Sequence, residues 1–187
     1  MQAFINHLNQ FVKLSPEAQG RIRGVCRKEV FYKHHILIPD LAKCERLYFI
    51  ETGLLRAFFW HEDKEITDWF GVEGMIIGPV VRHFPIKETI HPVELLENST
   101  LISVSFADLE KLYQEFHEIE RLGRLIAIQS MLMLQFKLDS IQLLPAKARY
   151  RQFIAAYPSI LQRAPLGHIA AYLGMNPVTL SRIRKEK

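Results

Sequence analysis

Pro177, Val178, Ser181 and Arg182 fall on one face of any helix that starts at Pro177, because residues three and four apart are helical neighbours. Arg182 in that setting can donate two hydrogen bonds to O6 and N7 of a guanine. Asn176, Thr179, Arg184, Lys185 and Lys187 suit phosphate oxygens, which fix register without reading sequence. The chemistry on offer is therefore recognition of DNA. Two short helices must hold it in place. Leu166, Ile169, Ala170 and Leu173 give a first helix an apolar face, and Gly174 supplies the bend at its end. Asn176 can cap the second helix and Pro177 can take its first position. Leu180 and Ile183 point back toward the first helix, and the small Ala170 lets the two approach. A helical hairpin packed at the C-terminus for stability alone is the plainer alternative.

Charge adds to the first reading, with a solvated basic tail as its plainer alternative. The 187 residues carry a net +4, unevenly placed. Residues 145–187 hold eight Lys and Arg against one acid, Glu186, a balance of +7; residues 1–144 hold 16 against 19, a balance of −3. A basic module behind a mildly acidic body favours a polyanionic partner.

Other chemistries find less support. Cys26 and Cys44 form no CxxC pair and read as reduced thiols. The histidines are His7, His34, His35, His61, His83, His91, His117 and His168, and none stands in a neighbourhood that marks a ligand. A cupin-like metal enzyme would need several histidines aimed at one ion. His34 and His35 are adjacent, so on a strand they would point to opposite faces. There is no nucleophile elbow, P-loop or HExxH, and no enzymatic activity is expected.

The body upstream reads in three parts. Residues 3–24 have helical spacing, with Ser15-Pro16 as a cap and first position. Residues 25–105 shift toward period two, with strands predicted at 34–38, 46–51, 54–60, 65–70 and 100–105, an antiparallel sandwich or barrel. Ser105 and Asp108 predict a capped helix over 106–116, and 117–142 is the longest helical pattern. Leu122, Ile126, Gln129, Met133 and Phe136 make one stripe along it, and Leu125, Ile128 and Leu132 make a second. A surface helix needs only one, so the first stripe is assigned to a dimer interface, a helix buried within a single chain being the alternative. Leu144-Pro145 breaks the chain before a helix over 146–157. No apolar run approaches the roughly 20 residues of a membrane helix. The opening MQAFINHLNQFVKLSPE lacks signal-peptide features, so a cytoplasmic location is expected.

The stretch IAAYLGMNPVTLSRIRK, with LYFIETGLLR, DWF and LISVSFADLEKLY upstream, resembles the Crp/Fnr family of bacterial transcription factors, in its Bacteroidetes-type branch. The resemblance implies an α+β fold: a cyclic-nucleotide-binding-like antiparallel β jelly roll over 1–116, a long dimerisation helix over 117–142 and a helix-turn-helix domain over 145–187. It implies a homodimer, double-stranded DNA and RNA polymerase as partners, and control by a small effector. Two departures qualify it. Cyclic-nucleotide binders of the family carry a glycine-glutamate step and, about ten residues on, an arginine. Here Gly78 is followed by Pro79, and the arginine position falls near Glu88-Thr89. A carboxylate there would repel a cyclic phosphate, so the effector is expected to be something other than cAMP. Gly78, Arg82, Lys87 and Thr89 are the candidate ligand residues, and no cofactor is assigned. Family members also often continue into a β-hairpin wing after the recognition helix; here the unit would rest on residues 145–164. A ligand-sensing β-roll that no longer binds DNA is the remaining alternative.

Overall fold

The computed structural model describes residues 1–40, 43–78 and 91–185. Among the described residues two helices, α1 (Gln2–Leu8) and α2 (Pro16–Val25), lead into eight strands. These are β1 (Arg27–Phe31), β2 (Ile36–Ile38), β3 (Arg46–Thr52), β4 (Leu55–His61), β5 (Lys64–Gly71), β6 (Ile76–Ile77), β7 (Val93–Leu95) and β8 (Ser99–Ser105). Six helices follow: α3 (Phe106–Glu115), α4 (His117–Leu143), α5 (Ala146–Ala156), α6 (Ile160–Arg163), α7 (Leu166–Tyr172) and α8 (Pro177–Lys185). The fold is α+β. The strands make two four-stranded antiparallel sheets, ordered β1-β8-β3-β6 and β2-β7-β4-β5.

Strand alternation divides the apolar side chains among three cores. Tyr48 and Ile50 of β3 and Leu101 of β8 face Leu55, Ala57, Val93 and Leu95 of the other sheet. Phe49 and Ile102, one residue out of step, face the opposite way. They pack on Phe4, Ile5 and Leu8 of α1, Ile22 of α2, Leu112 of α3, and Ile119 and Leu122 of α4. That sheet is covered on both sides, which is why its strands read as apolar runs rather than alternating ones. The third core joins α5–α8 to the second sheet through Leu54, Phe70 and Leu96.

Several expectations need adjusting. Residues 3–24 form two helices, the second opening at the expected Ser15-Pro16 cap. Asn9 ends α1, its Oδ1 accepts from the Leu14 N–H at 2.9 Å, and the Ser15 hydroxyl caps α2 by accepting from the Ala18 N–H. Three strands, β1, β6 and β7, were not predicted. β1 is a charged, largely exposed edge, and β6 and β7 span two and three residues. The Ser105 cap on α3 is present: its Oγ accepts from the Asp108 N–H at 3.1 Å and donates to Oδ2 of Asp108 at 2.6 Å. No helix among the described residues is long and apolar enough to cross a membrane.

Candidate nucleic-acid interface

The turn between α7 and α8 is made by two backbone bonds. The Gly174 N–H donates to the Ala171 carbonyl at 3.1 Å and the Met175 N–H to the Ala170 carbonyl at 3.0 Å. That pair closes the helix only if the residue between takes a left-handed conformation, and Gly174 does so at φ +64°. Asn176 then opens α8, its Oδ1 accepting from the Thr179 N–H at 2.7 Å. The oxygen is thereby spent on the cap, and the amide NH₂ stays free to donate, as the expected phosphate contact would require.

The rear of α8 is sealed. Leu180 is fully buried with Ile169, Ala170, Leu173, Phe153 and Ile160. Ile183 is only half-buried, so the anchor is mainly Leu180. The outer face carries Pro177 and Val178, the latter 70% exposed, with Arg182 exposed and Ser181 and Thr179 half-buried. Arg182, Arg184 and Lys185 are exposed and make no ion pair with any acid among the described residues. Their charge therefore faces solvent. Lys187 and Glu186 lie outside the described residues.

One cation counted toward the basic module has a different task. Arg163 of α6 reaches across to the sheets, with NH2 donating to Glu73 Oε1 at 2.7 Å and to Glu97 Oε1 at 2.6 Å. Its NH1 donates to Glu73 Oε2 at 3.0 Å and its Nε to Glu97 Oε2 at 3.2 Å. Burial alone would raise the Glu73 carboxyl, but Arg163 and the Gly53 N–H overcome it and hold Glu73 below the usual range. Nothing in the sequence around Arg163 marks this clamp.

Aromatic packing completes the docking of the helical unit on β5. Phe70 lies 5.5 Å from Tyr172 and 6.0 Å from Phe153 between ring centroids, and Phe153 lies 5.0 Å from Tyr172. Beside them, Arg56 of β4 is almost fully buried and donates to Glu94 at 2.8 Å and Glu65 at 2.6 Å. A lone charge inside the run LLRAFFW is the sequence signal for such a buried cluster. His168 of α7 sits 3.7 Å from Glu65; burial first, then the Arg56 charge, lowers its pKa and keeps it neutral.

α4 carries two kinds of surface in succession. Leu122, assigned from sequence to a partner chain, is buried in this chain's own core with Ile119, and Ile126 packs against the same core. The helical stripe continues past them, which is why sequence periodicity joined residues with different neighbours. Gln129, Met133 and Phe136 are exposed. So are Met131 (61%), Leu132 (59%), Leu134 (64%) and Leu143 (75%). Lys137 ties this half of α4 back to β5. Its Nζ donates to the Asp68 carboxylate at 2.8 Å and to the Asp68 carbonyl, and lies 5.2 Å from the Tyr172 ring centroid.

The candidate ligand residues are mostly out of reach. Arg82, Lys87 and Thr89, with Pro79 and Glu88, lie outside the described residues. Gly78 is described, and a Cβ there would stand 2.6 Å from the Leu47 side chain and 2.9 Å from the Arg46 carbonyl. Close approach to β3 is sufficient reason for a glycine. A groove of about 820 Å³ runs past it, walled by Trp69, Met75 and Ile76 and by Ala127, Ser130 and Leu134 of α4. Among the described residues no group of three or more His, Cys, Asp or Glu could hold a metal. His34 faces Glu94 at 3.3 Å, whereas His35 stacks on Phe31.

No family model matches the chain, and no curated protein matches it. Solved structures do. FixK2 from Bradyrhizobium japonicum is 17% identical, with a TM-score of 0.70 over 87% of this chain and 84% of that one. A structure from Eubacterium rectale, assigned to transcriptional regulators of the Crp/Fnr family, is 13% identical, with a TM-score of 0.73 over 97% and 87%. The c-di-GMP responsive global regulator CLP from Xanthomonas campestris is 14% identical, with a TM-score of 0.66 over 92% and 91%. At these identities the chain shares with them a fold, sheets and C-terminal helices together.

Proposed function

We propose that the chain is a sequence-specific DNA-binding transcriptional regulator of the Crp/Fnr type that works as a homodimer. The observation that carries this reading is α8: a helix sealed behind by Leu180, with Arg182 and Val178 exposed on its outer face and unpaired cations at its end. The fold shared with a Crp/Fnr-assigned structure and with the regulator CLP supports it. In this reading residues 1–116 form the sensing body, 117–142 carry the dimer contact and 145–187 bind DNA. The exposed apolar residues of the second half of α4, Met133 and Phe136 among them, form the seam. Two copies would then present their α8 helices to half-sites about one helical turn apart, roughly 34–36 Å. An effector other than cAMP shifts the balance between DNA-competent and incompetent arrangements by binding one more tightly.

The test is selection of genomic fragments by purified protein, with Arg182→Ala and Lys185→Ala beside the wild type. Wild-type protein enriches a two-fold-related site. Arg182→Ala loses about 1–3 kcal/mol at that site and relaxes its sequence preference. Lys185→Ala weakens all DNA about equally and lowers the salt slope by about one. Identical behaviour of the two variants would refute the division into base and phosphate contacts.

A further inference from the structure

The outer face of α8 offers two kinds of contact, one turn apart. Arg182 is exposed and makes no ion pair with any acid among the described residues, so its guanidinium is available to base edges. The turn before it is the end that a recognition helix directs at the bases, and its exposed side chains form no hydrogen bonds. Pro177 is exposed and apolar. Val178 is 70% exposed and can neither donate nor accept through its side chain. Asn176 has its Oδ1 held by the Thr179 N–H at 2.7 Å, which removes the donor–acceptor pair that reads adenine. Thr179 itself is half-buried. The other apolar side chains of α8 turn inward, Leu180 fully buried and Ile183 half-buried.

An apolar side chain can read only an apolar feature of a base edge. The major groove holds one, the C5-methyl of thymine; adenine, guanine and cytosine present hydrogen-bonding groups there. Facing Val178, those polar groups would lose water without gaining a partner. Arg182, Arg184 and Lys185 are exposed on the same helix, so the surface that receives Val178 must also be polyanionic. We propose that Val178 is a specificity-determining residue that packs on a thymine methyl, so that each half-site carries a T·A pair close to the G·C pair read by Arg182. The two side chains are four residues apart, about 6 Å along the helix axis. Base pairs are stacked about 3.4 Å apart, which sets the thymine within about two base pairs of the guanine. Pro177, beside Val178, adds apolar surface to the same contact. This assignment names the DNA sequence read by the regulator proposed above and rests on that function.

Selection by the full chain from a pool of random double-stranded DNA, with Arg182→Ala run beside it, first locates the guanine as the position whose enrichment the variant loses. We expect a thymine enriched within about two base pairs of it. The selected duplex is then synthesised with deoxyuridine in place of that thymine. The exchange removes the C5-methyl and leaves every hydrogen-bonding group of the pair. One buried methyl corresponds to roughly a fourfold change in Kd, so wild-type protein should bind the deoxyuridine duplex roughly fourfold more weakly. Val178→Ala should bind the thymine duplex more weakly by a similar factor and should no longer tell the two duplexes apart. Val178→Gln, which offers a donor and an acceptor, should change the preferred base pair at that position while leaving the guanine preference in place. Circular dichroism establishes that each variant is folded. A selected site without thymine in that interval overturns the proposal and leaves the proposed function standing, as does a deoxyuridine duplex bound as tightly as the thymine one. An equal loss on deoxyuridine in wild type and Val178→Ala also overturns it, because the methyl would then lie against another side chain. If the wild type enriches no sequence, the proposed function fails and the thymine contact fails with it.

Discussion

Removing the Arg163 side chain separates a structural cation from those proposed to bind DNA. Its guanidinium makes four hydrogen bonds of 2.6–3.2 Å to two carboxylates. A hydrogen bond to a charged group contributes about 1.5–3 kcal/mol when well shielded. Here Arg163 is 19% exposed but Glu73 and Glu97 are 44% and 35% exposed, so solvent screens much of it. The freed carboxylates can also rehydrate. The net loss expected for Arg163→Ala is about 2 kcal/mol, which for a chain of this size lowers Tm by roughly 4–8 °C. Urea unfolding followed by tryptophan fluorescence and by circular dichroism measures it. Arg163→Lys keeps the charge but loses the paired geometry, and should recover about half. The pH profile adds a second readout. Glu73 has a lowered folded pKa, so its contribution is present above the unfolded carboxylate range and is lost as pH falls below it. Arg163→Ala should flatten that acid limb. A loss within about 0.5 kcal/mol, the level of an ordinary surface change, would refute the clamp. So would a drop in the DNA salt slope equal to that of Lys185→Ala, which would make Arg163 a phosphate contact.

Two further outcomes follow from the same packing. His168 is held neutral, with its folded pKa below the unfolded value of about 6.5. The unfolded chain therefore takes up the proton first, and stability falls as pH drops below about 6.5. His7, lowered by burial, contributes in the same direction. His168→Gln should remove part of that fall in urea midpoints taken at several pH values, and an unaltered slope would exclude His168 as a source. Phe136→Glu, at a side chain 55% exposed, should convert the proposed dimer to monomer in sedimentation with circular dichroism unchanged. A persistent dimer would reject the seam. It is a cleaner probe than Ile126→Glu, which would also wound the core against which Ile126 packs.

The C-terminal turn could be read from the chain because local chemistry makes it. Gly174, Asn176 and Pro177 each act within a few residues of their own position, through a left-handed bend, a cap and a first-turn proline. The long strands were legible for the same reason, from composition within each run. What sequence could not supply was the neighbour. Leu122 and Phe136 stand on one continuous stripe, yet one is buried in its own chain and the other is exposed. Arg163 looks like any other cation of the basic module, and its two acids lie 90 and 66 residues away. β1 carries Arg27, Lys28 and Glu29 and is held by pairing with β8, not by burial.

Asp68 is an extra residue in its strand. β4 pairs Ala57 with Trp69 and Phe58 with Thr67, so Asp68 has no opposite number, and its carbonyl accepts from Lys137. The same irregularity fixes which way the next two side chains point. Trp69 packs with the core between the sheets and Phe70 enters the core of the helical unit. Side-chain direction alternates with every residue, so a one-residue slip exchanges the two faces. Deleting Asp68 would restore regular pairing at the cost of the Lys137 tether, or carry Trp69 and Phe70 to each other's sides. A change of one residue in the length of this strand therefore costs either the Lys137 tether or the placement of Trp69 and Phe70 in their separate cores, whereas a substitution leaves the register as it is.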